Sequence, residues 1–522
     1  MSSPLTVRNL TPTAISLLRV ERFEDPNTLQ SKSHGYFLSP KSTTPATPTS
    51  PELSGHAQSF NHQDLQVTLQ PFESYTLRFP NQTQPSNAAT LSSPVHRITI
   101  QTAKAERYRI DSNPSYTQKS TQAFTALSAN PSANYNAIFH PSKPIPHLAI
   151  QSNHIASYAS WMSTLPDNLP LSAISIPGTH NSHTHYRALP SVRCQVHDIK
   201  TQLENGIRFL DIRVQPIHST DTSKKELYLV HGAFPISLTG PKYLAPILQT
   251  CYNFLAAHPS ETLLVSLKRE GVGSATDEHL AAVLQKHYIA PNSSRWYTEN
   301  KTPYLGSVRG KLILLRRYTI SLPSPNSDAD EKGGLDATAW PHNSTHAVFP
   351  SSSSSSSSSA SPTQTSFCLQ DYCEVLVPSL IPTKLAHCTE HLARTAAVTH
   401  PIPGLTTDAK HPVPPAPLHL NFLSASNFWK RACWPSAIAK VVNEGVEKGM
   451  CAGHYLQNVG SGGEEEEEEE EMGGVVRKRA ESGDGSTGVV IMDCVGENGD
   501  WDLVRLVVGM NMGVLLRYPS VA

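Results

Sequence analysis

Residues Leu171–Ser182, LSAISIPGTHNS, run apolar and then break at Pro177-Gly178, which delivers His180 to a loop just past the C-terminal end of a strand. The same event recurs downstream. GIRFLDIRV carries Asp211 and Arg213, ELYLVHG ends on His231, TLLVSLKRE presents Lys268, KLILLRRY ends near Arg317, and GVVIMDCV ends on Asp493. Between these runs Tyr243–Ala257 places Leu244, Ile247, Leu248, Cys251, Phe254 and Leu255 at helical spacing. Strand and helix in alternation imply a parallel sheet covered on both faces, and ionisable residues at successive strand ends are where an α/β barrel keeps its chemistry.

Strand periodicity sorts these residues further. Phe209, Asp211 and Arg213 share one face while Leu210, Ile212 and Val214 share the other, so if the second set packs under helices the first points into a lumen. Ser266, Lys268 and Glu270 likewise oppose Leu263, Val265 and Leu267; Arg317 lies with Ile313 and Leu315, and Arg316 points away. Asp493, on a late strand, would close the barrel beside His180 and hold its imidazole in one tautomer. Taken singly, each admits a structural reading: an ion pair for Asp211 and Arg213, a satisfied core histidine for His231. Together, two histidines that divide base and acid roles among Arg and Lys cations suit attack on a phosphodiester.

Composition narrows the partners. With 16% charged residues and a net charge of −1 the chain has no broad basic field for nucleic acid. Eight scattered cysteines form no disulfide framework, and there is neither a signal-peptide core nor an apolar run long enough to span a bilayer. The expectation is a cytoplasmic protein in peripheral contact with membranes, with no protein partner inferred. Trp161, Phe428, Trp429 and Trp434 are candidate interfacial anchors, against the alternative of ordinary packing.

Residues 1–110 alternate in short runs and read as a small β-sandwich-like domain; 111–155 read as a linker or docking strap; 156–522 as the barrel. Three low-complexity insertions are expected within it, at about 322–365 (polyserine), 398–417 (Pro-rich) and 458–486 (an acidic run), each a solvated loop.

The motifs ASWMSTLPDNLPLSAISIPGTHNS, NGIRFLDIRV, LVHG and HPSETLLVSLKRE, in that order, resemble the X-domain of phosphatidylinositol-specific phospholipase C, most nearly its bacterial form. The resemblance implies a distorted TIM (β/α) barrel acting on phosphatidylinositol or a related inositol phospholipid. On it, His180 matches the general base toward the inositol 2-hydroxyl, Asp493 its supporting carboxylate, His231 the general acid, and Arg213 the phosphate contact with Asp211 beside it. Lys268, Arg317, Asp371 and Tyr372 match positions lining the inositol pocket. Calcium-dependent members carry acidic side chains where this chain has Arg213 and Lys268, so the resemblance implies turnover with no metal and no cofactor. Asn181 departs from the bacterial pattern, which has Asp after the catalytic histidine; with the substrate-side residues, it is the position in question for catalytic efficiency. Two rival readings stand beside this one: a catalytically impaired phosphoinositide-binding barrel, and a zinc-dependent barrel hydrolase built on His183-x-His185.

Overall fold

The computed structural model describes residues 4–23, 59–77, 95–112, 121–141, 145–152, 157–320, 333–351, 365–411, 413–454, 456–458, 477–480 and 483–518. Two units are found: residues 1–154 with 447–481 and 519–522, and residues 155–446 with 482–518.

The first unit is built from two sheets. One orders Leu456–Asn458, Arg477–Ala480, Ser74–Leu77, Leu5–Leu10, His147–Ser152, Tyr135–His140 and Thr121–Ala123; the other orders Ser59–Leu69, Ile15–Phe23, Val95–Thr102, Arg107–Ser112 and Thr125–Ala126. Leu5, Val7, Leu148 and Ile150 of the first sheet pack with Ile15, Leu17, Ile98 and Ile100 of the second in one core, as a β-sandwich requires. The expected linker 111–155 is corrected here. His147–Ser152 pairs in parallel with Leu5–Leu10, an interior position that a strap could not hold. The expected insertion 458–486 is corrected in part as well: Arg477–Ala480 pairs with Ser74–Leu77, and Asp484 and Ser486 are buried. The acidic run Glu464–Glu471 and the polyserine Ser352–Ser359 lie outside the described residues.

The second unit carries the parallel ladder. Ile176–Thr179 pairs with Phe209–Pro216, which pairs with Leu263–Arg269, which pairs with Leu312–Arg317. From its other edge Ile176–Thr179 pairs with the last strand, Val489–Met492, which continues through Leu418–Phe422 to Ser366–Gln370. First and last strands therefore meet as the barrel reading expects. Among the described residues no strand pairing joins Leu312–Arg317 to Ser366–Gln370, so the barrel is distorted by one open seam.

The outward residues Leu210, Ile212 and Val214 are fully buried, and the helix Leu244–Ala257 buries the six residues its spacing predicts. Burial of such side chains contributes about 1.5–3 kcal/mol each. At the end of the barrel away from His180, Arg208 donates to Glu261 at 2.8 Å and to the carbonyls of Leu203, Ile207 and Tyr158. Trp161 packs over that guanidinium and donates to the Gly206 carbonyl; it is buried, which corrects its reading as an anchor.

Two expected insertions hold packed residues. Leu335–Asp336 extends the ladder beside Leu312–Arg317, where Asp336 pairs with the outward Arg316 at 2.5 Å. In 398–417, His400 is fully buried and its Nδ1 lies 3.0 Å from Asp484, while Ile402 is also buried. Such contacts join residues 84 apart and leave no local periodicity to read.

The Pro-Gly pair lies inside the strand Ile176–Thr179 and does not break it. Pairing with Phe209–Pro216 begins only at Gly178, and a Cβ there would lie 2.7 Å from Phe209 Cβ. Gly178→Ala should therefore destabilise the protein by about 1–3 kcal/mol, as overpacking does. Urea unfolding checks this, and an unchanged midpoint would show that the two strands separate without cost.

Candidate active site

His180 follows the first barrel strand, and its backbone N–H donates to the Met492 carbonyl at 3.0 Å, which extends the ladder by one residue. Its Nδ1 lies 2.8 Å from Asp493 Oδ1. On the other side of the ring, Nε2 faces Arg213 Nη2 at 3.0 Å and the Asn181 amide nitrogen at 3.1 Å. A guanidinium can only donate, so Nε2 carries the lone pair and the proton sits on Nδ1, toward Asp493. This is the tautomer of a general base. Gln195 Nε2 fixes the loop by donating to the carbonyls of His180 and Met492, at 2.8 and 2.9 Å.

Arg213 is the hub. Its Nη1 meets both carboxylate oxygens of Glu270 at 3.1 Å, and its Nη2 reaches Asp211 at 3.3 Å as well as His180. Strand register sets Arg213 beside Lys268 and Lys268 beside Arg317, a row of three cations across adjacent strands. Arg317 lies 3.7 Å from Asp211 and 3.8 Å from the ring centroid of Trp340, whose indole N–H donates to Asp371 at 2.9 Å. Burial pushes the Asp211 carboxyl up, but Arg213, Arg317 and His180 outweigh it and hold Asp211 well below the usual carboxylate range. Glu270 is held low in the same way: burial opposes ionisation, and Arg213 and Lys268 prevail. Burial, and then Arg213, lowers Lys268.

His231 completes the rim, its ring 6.2 Å from that of His180 and nearly perpendicular to it. Nδ1 donates to the Val192 carbonyl at 2.8 Å, which leaves Nε2 as the reactive nitrogen. Burial first, then the neighbouring Arg213 and His180, push its pKa down to about 3. Among the described residues no carboxylate hydrogen-bonds it. Asn181 is fully buried in a left-handed backbone turn (φ 42°), with its amide on His180 Nε2 and Cys194 Sγ.

The geometry thus brings together His180, Asp211, Arg213, His231, Lys268, Arg317, Asp371 and Asp493. Tyr372 is placed differently. Its ring meets His387 edge-on at 5.4 Å, and among the described residues no side-chain hydrogen bond or ring contact ties it to the cluster. The sequence reading did not select Glu270, although it placed Glu270 on the inward face with Lys268. Trp340, within an expected insertion, and Cys194 and Gln195, in a loop, carried no signal.

Two donor sets bear on metals. His183 is buried and its Nε2 is engaged by the Val230 carbonyl at 2.9 Å; among the described residues neither His183 nor His185 gathers a third ligand, which removes support from the zinc-hydrolase reading. His180, Cys194 and Asp493 do bring donor atoms within 4.8 Å of one another. There, however, Asp493 already accepts the His180 proton on Nδ1, and the other ring nitrogen faces the Arg213 guanidinium, so His180 has no free lone pair for an ion. That set does not fit a resident ion.

Residues 168–318 match the family model described as phosphatidylinositol-specific phospholipase C, X domain, which bears out the resemblance read from the motifs. A 1-phosphatidylinositol phosphodiesterase of Listeria monocytogenes is 34% identical over 174 residues, covering 31% of this chain and 50% of that protein. A 1-phosphatidylinositol phosphodiesterase of Staphylococcus aureus is 27% identical over 210 residues, covering 38% of this chain and 62% of that protein. The chain therefore spans between half and two thirds of these relatives. The solved phosphatidylinositol-specific phospholipase C from Listeria monocytogenes aligns at 22% identity over 68% of this chain and 98% of that one, with a TM-score of 0.43.

Proposed function

We propose, taking the X-domain match across 168–318 as premise, that this chain cleaves the glycerol–phosphate bond of phosphatidylinositol by intramolecular attack of the inositol 2-hydroxyl. One observation carries the reading: His180 is held with its proton toward Asp493 and its lone pair toward Arg213. Nε2 of His180 takes the proton of the 2-hydroxyl, the oxygen attacks phosphorus, and Arg213 turns from His180 to a phosphoryl oxygen. Lys268 and Arg317 extend the positive row toward the inositol side, with Asp371 accepting a ring hydroxyl. His231 Nε2 gives a proton to the departing diacylglycerol oxygen, yielding inositol 1,2-cyclic phosphate. Exchange of the two histidine roles would slowly hydrolyse the cyclic ester.

The test is phosphorus NMR of the protein with phosphatidylinositol vesicles. A cyclic phosphodiester resonance is the expected result, and a linear monoester as the first product would overturn the reading. The impaired-binder alternative keeps one observation in its favour, the absence of a carboxylate on His231 among the described residues. Vesicle binding without any new resonance would favour it.

The state of His231 gives a second expectation. With its pKa at about 3 in the free protein, the acid is neutral at pH 6–7, and Arg213 is a principal cause besides burial. A bound phosphodiester neutralises that guanidinium, raises the His231 pKa and favours the charged form. Binding of a non-cleavable inositol phosphonate at pH 6 should therefore take up protons. Calorimetry in buffers of different ionisation enthalpy measures this; no uptake, or release, would count against His231 as the acid.

Among the described residues no helix is long and apolar enough to cross a membrane. Beside the site, Trp429 is 87% exposed, and Phe428 stacks at 4.0 Å on Phe234, which lies on the loop that follows His231. Trp434, by contrast, donates to the Phe428 carbonyl and braces that turn. We place Phe234, Phe428 and Trp429 at the lipid surface. Trp429→Ala should cost roughly 10-fold or more on vesicles, in line with the transfer of one aromatic side chain, and much less on a short-chain monomeric substrate. Equal losses on both would refute the placement.

A further inference from the structure

We propose a zinc-class metal site on the outward face of the barrel sheet, formed by His346, Cys368 and His391. Cys368 lies in Ser366–Gln370, where register sets it beside His419 on one side and Val348 on the other. It shares a face with Gln370, whose side chain bonds Lys384 and Cys388 of the helix Ile381–Ala396; Asp371, on the opposite face, meets Trp340 at the active site. The site therefore lies under that helix, across the sheet from His180.

His391 enters from the helix. It is fully buried, and among the described residues neither ring nitrogen has a hydrogen-bond partner. Buried polar groups are rarely left so, and an imidazole with both nitrogens open in a dry site calls for a ligand. Cys368 Sγ is 3.8 Å from His346 Nδ1, and one donor atom from each of the three residues falls within 4.8 Å of the others. Tetrahedral zinc, with bonds of about 2.0–2.3 Å, separates such donors by roughly 3.3–3.6 Å, so the Cys368–His346 pair is already within a few tenths of an ångström of that spacing, and His391 moves inward from within 4.8 Å as the ion binds.

Thiolate with imidazoles selects a borderline-soft ion over calcium or magnesium, which need oxygen ligands. The His419 ring lies 5.6 Å from that of His391, with its Nδ1 turned to the Pro417 carbonyl, and a water completes the sphere as the fourth ligand. Burial, then the neighbouring His419 and Arg394, keeps His391 neutral and its lone pair available, and Arg394 is itself paired with Glu390 at 3.3 Å. Burial raises the Cys368 thiol to about 11, so binding exchanges its proton for the metal: the thiol and a divalent ion give a metal thiolate and one released proton. Such an ion ties Ala347–Pro350 and Ser366–Gln370, the strands that bracket residues 352–364, to the helix beside the open seam.

Cobalt titration of the reduced full-length protein tests the site. One equivalent should give a thiolate-to-cobalt charge-transfer absorption that one equivalent of zinc abolishes. Cys368→Ser should lose the band, and His346→Gln and His391→Gln should each weaken zinc binding at least 10-fold, while Cys194→Ser retains the band. His346 is exposed, so His346→Gln decides the matter should the buried variants fail to fold. No charge-transfer band in the parent protein, a band that persists in Cys368→Ser, or zinc affinity unchanged in His346→Gln would overturn the proposal.

Discussion

Turnover of phosphatidylinositol by His180→Ala should fall by about 10²–10⁴-fold or more, the loss that accompanies removal of a general base. The structure makes the companion variant equally informative. Asp493 is 1% exposed and its Oδ1 fixes the Nδ1 proton of His180. In Asp493→Asn an amide N–H can face Nδ1 instead, which moves the imidazole proton to Nε2, against Arg213 Nη2. Base and guanidinium would then both be donors. A wrong tautomer in a His–carboxylate pair costs about 10⁴-fold in turnover, so Asp493→Asn should fall by up to that amount while keeping its fold. Rates under single-turnover conditions, with thermal unfolding as the control, check both variants. Near-normal turnover by His180→Ala would sink the assignment of the base; near-normal turnover by Asp493→Asn alone would leave the base but remove the carboxylate from its support.

What made these residues legible was the combination of period two with strand direction. In Phe209–Pro216 alternation sorts Asp211 and Arg213 from Leu210, Ile212 and Val214, and parallel pairing then stacks Arg213, Lys268 and Arg317 in register without any further information. Asp493 was legible for a topological reason, since the last strand of a barrel returns to the first. Residues outside that logic escaped. Trp340, which covers Arg317, sits in a stretch with neither period, and its contact with Asp371 spans 31 residues. The same is true of the strand His147–Ser152: its partner Leu5–Leu10 lies at the far end of its unit, so a Pro- and Ser-rich approach concealed a central element. Glu270 is an intermediate case, since its face was readable but its service to Arg213 was not. Asn181 is another. The resemblance marks it only as a departure bearing on catalytic efficiency, whereas the structure sets its amide on Nε2 of the base.

Arg213→Lys should reduce turnover by about 10²–10³-fold, the range for removing one preorganised donor from a developing oxyanion. The fork of Arg213 spans three groups at once: Glu270 through Nη1, Asp211 and His180 through Nη2. A lysine ammonium is a single point and cannot keep two carboxylates paired while presenting a donor to phosphate. The loss should appear in kcat as well as in kcat/KM, because the guanidinium meets charge that grows in the transition state. If Arg213 served only to neutralise Asp211 and Glu270, the variant would lose thermal stability and little turnover, and that split separates the two roles. The same row bears on metal dependence. Asp211 and Glu270 are already engaged by guanidinium, and a divalent cation at the phosphate would face Arg213, Lys268 and Arg317 together. Chelator should therefore leave the rates of both parent and variant unchanged. A calcium requirement in the parent would mean that the row of cations does not do the metal's electrostatic work, and would move the phosphate contact away from Arg213.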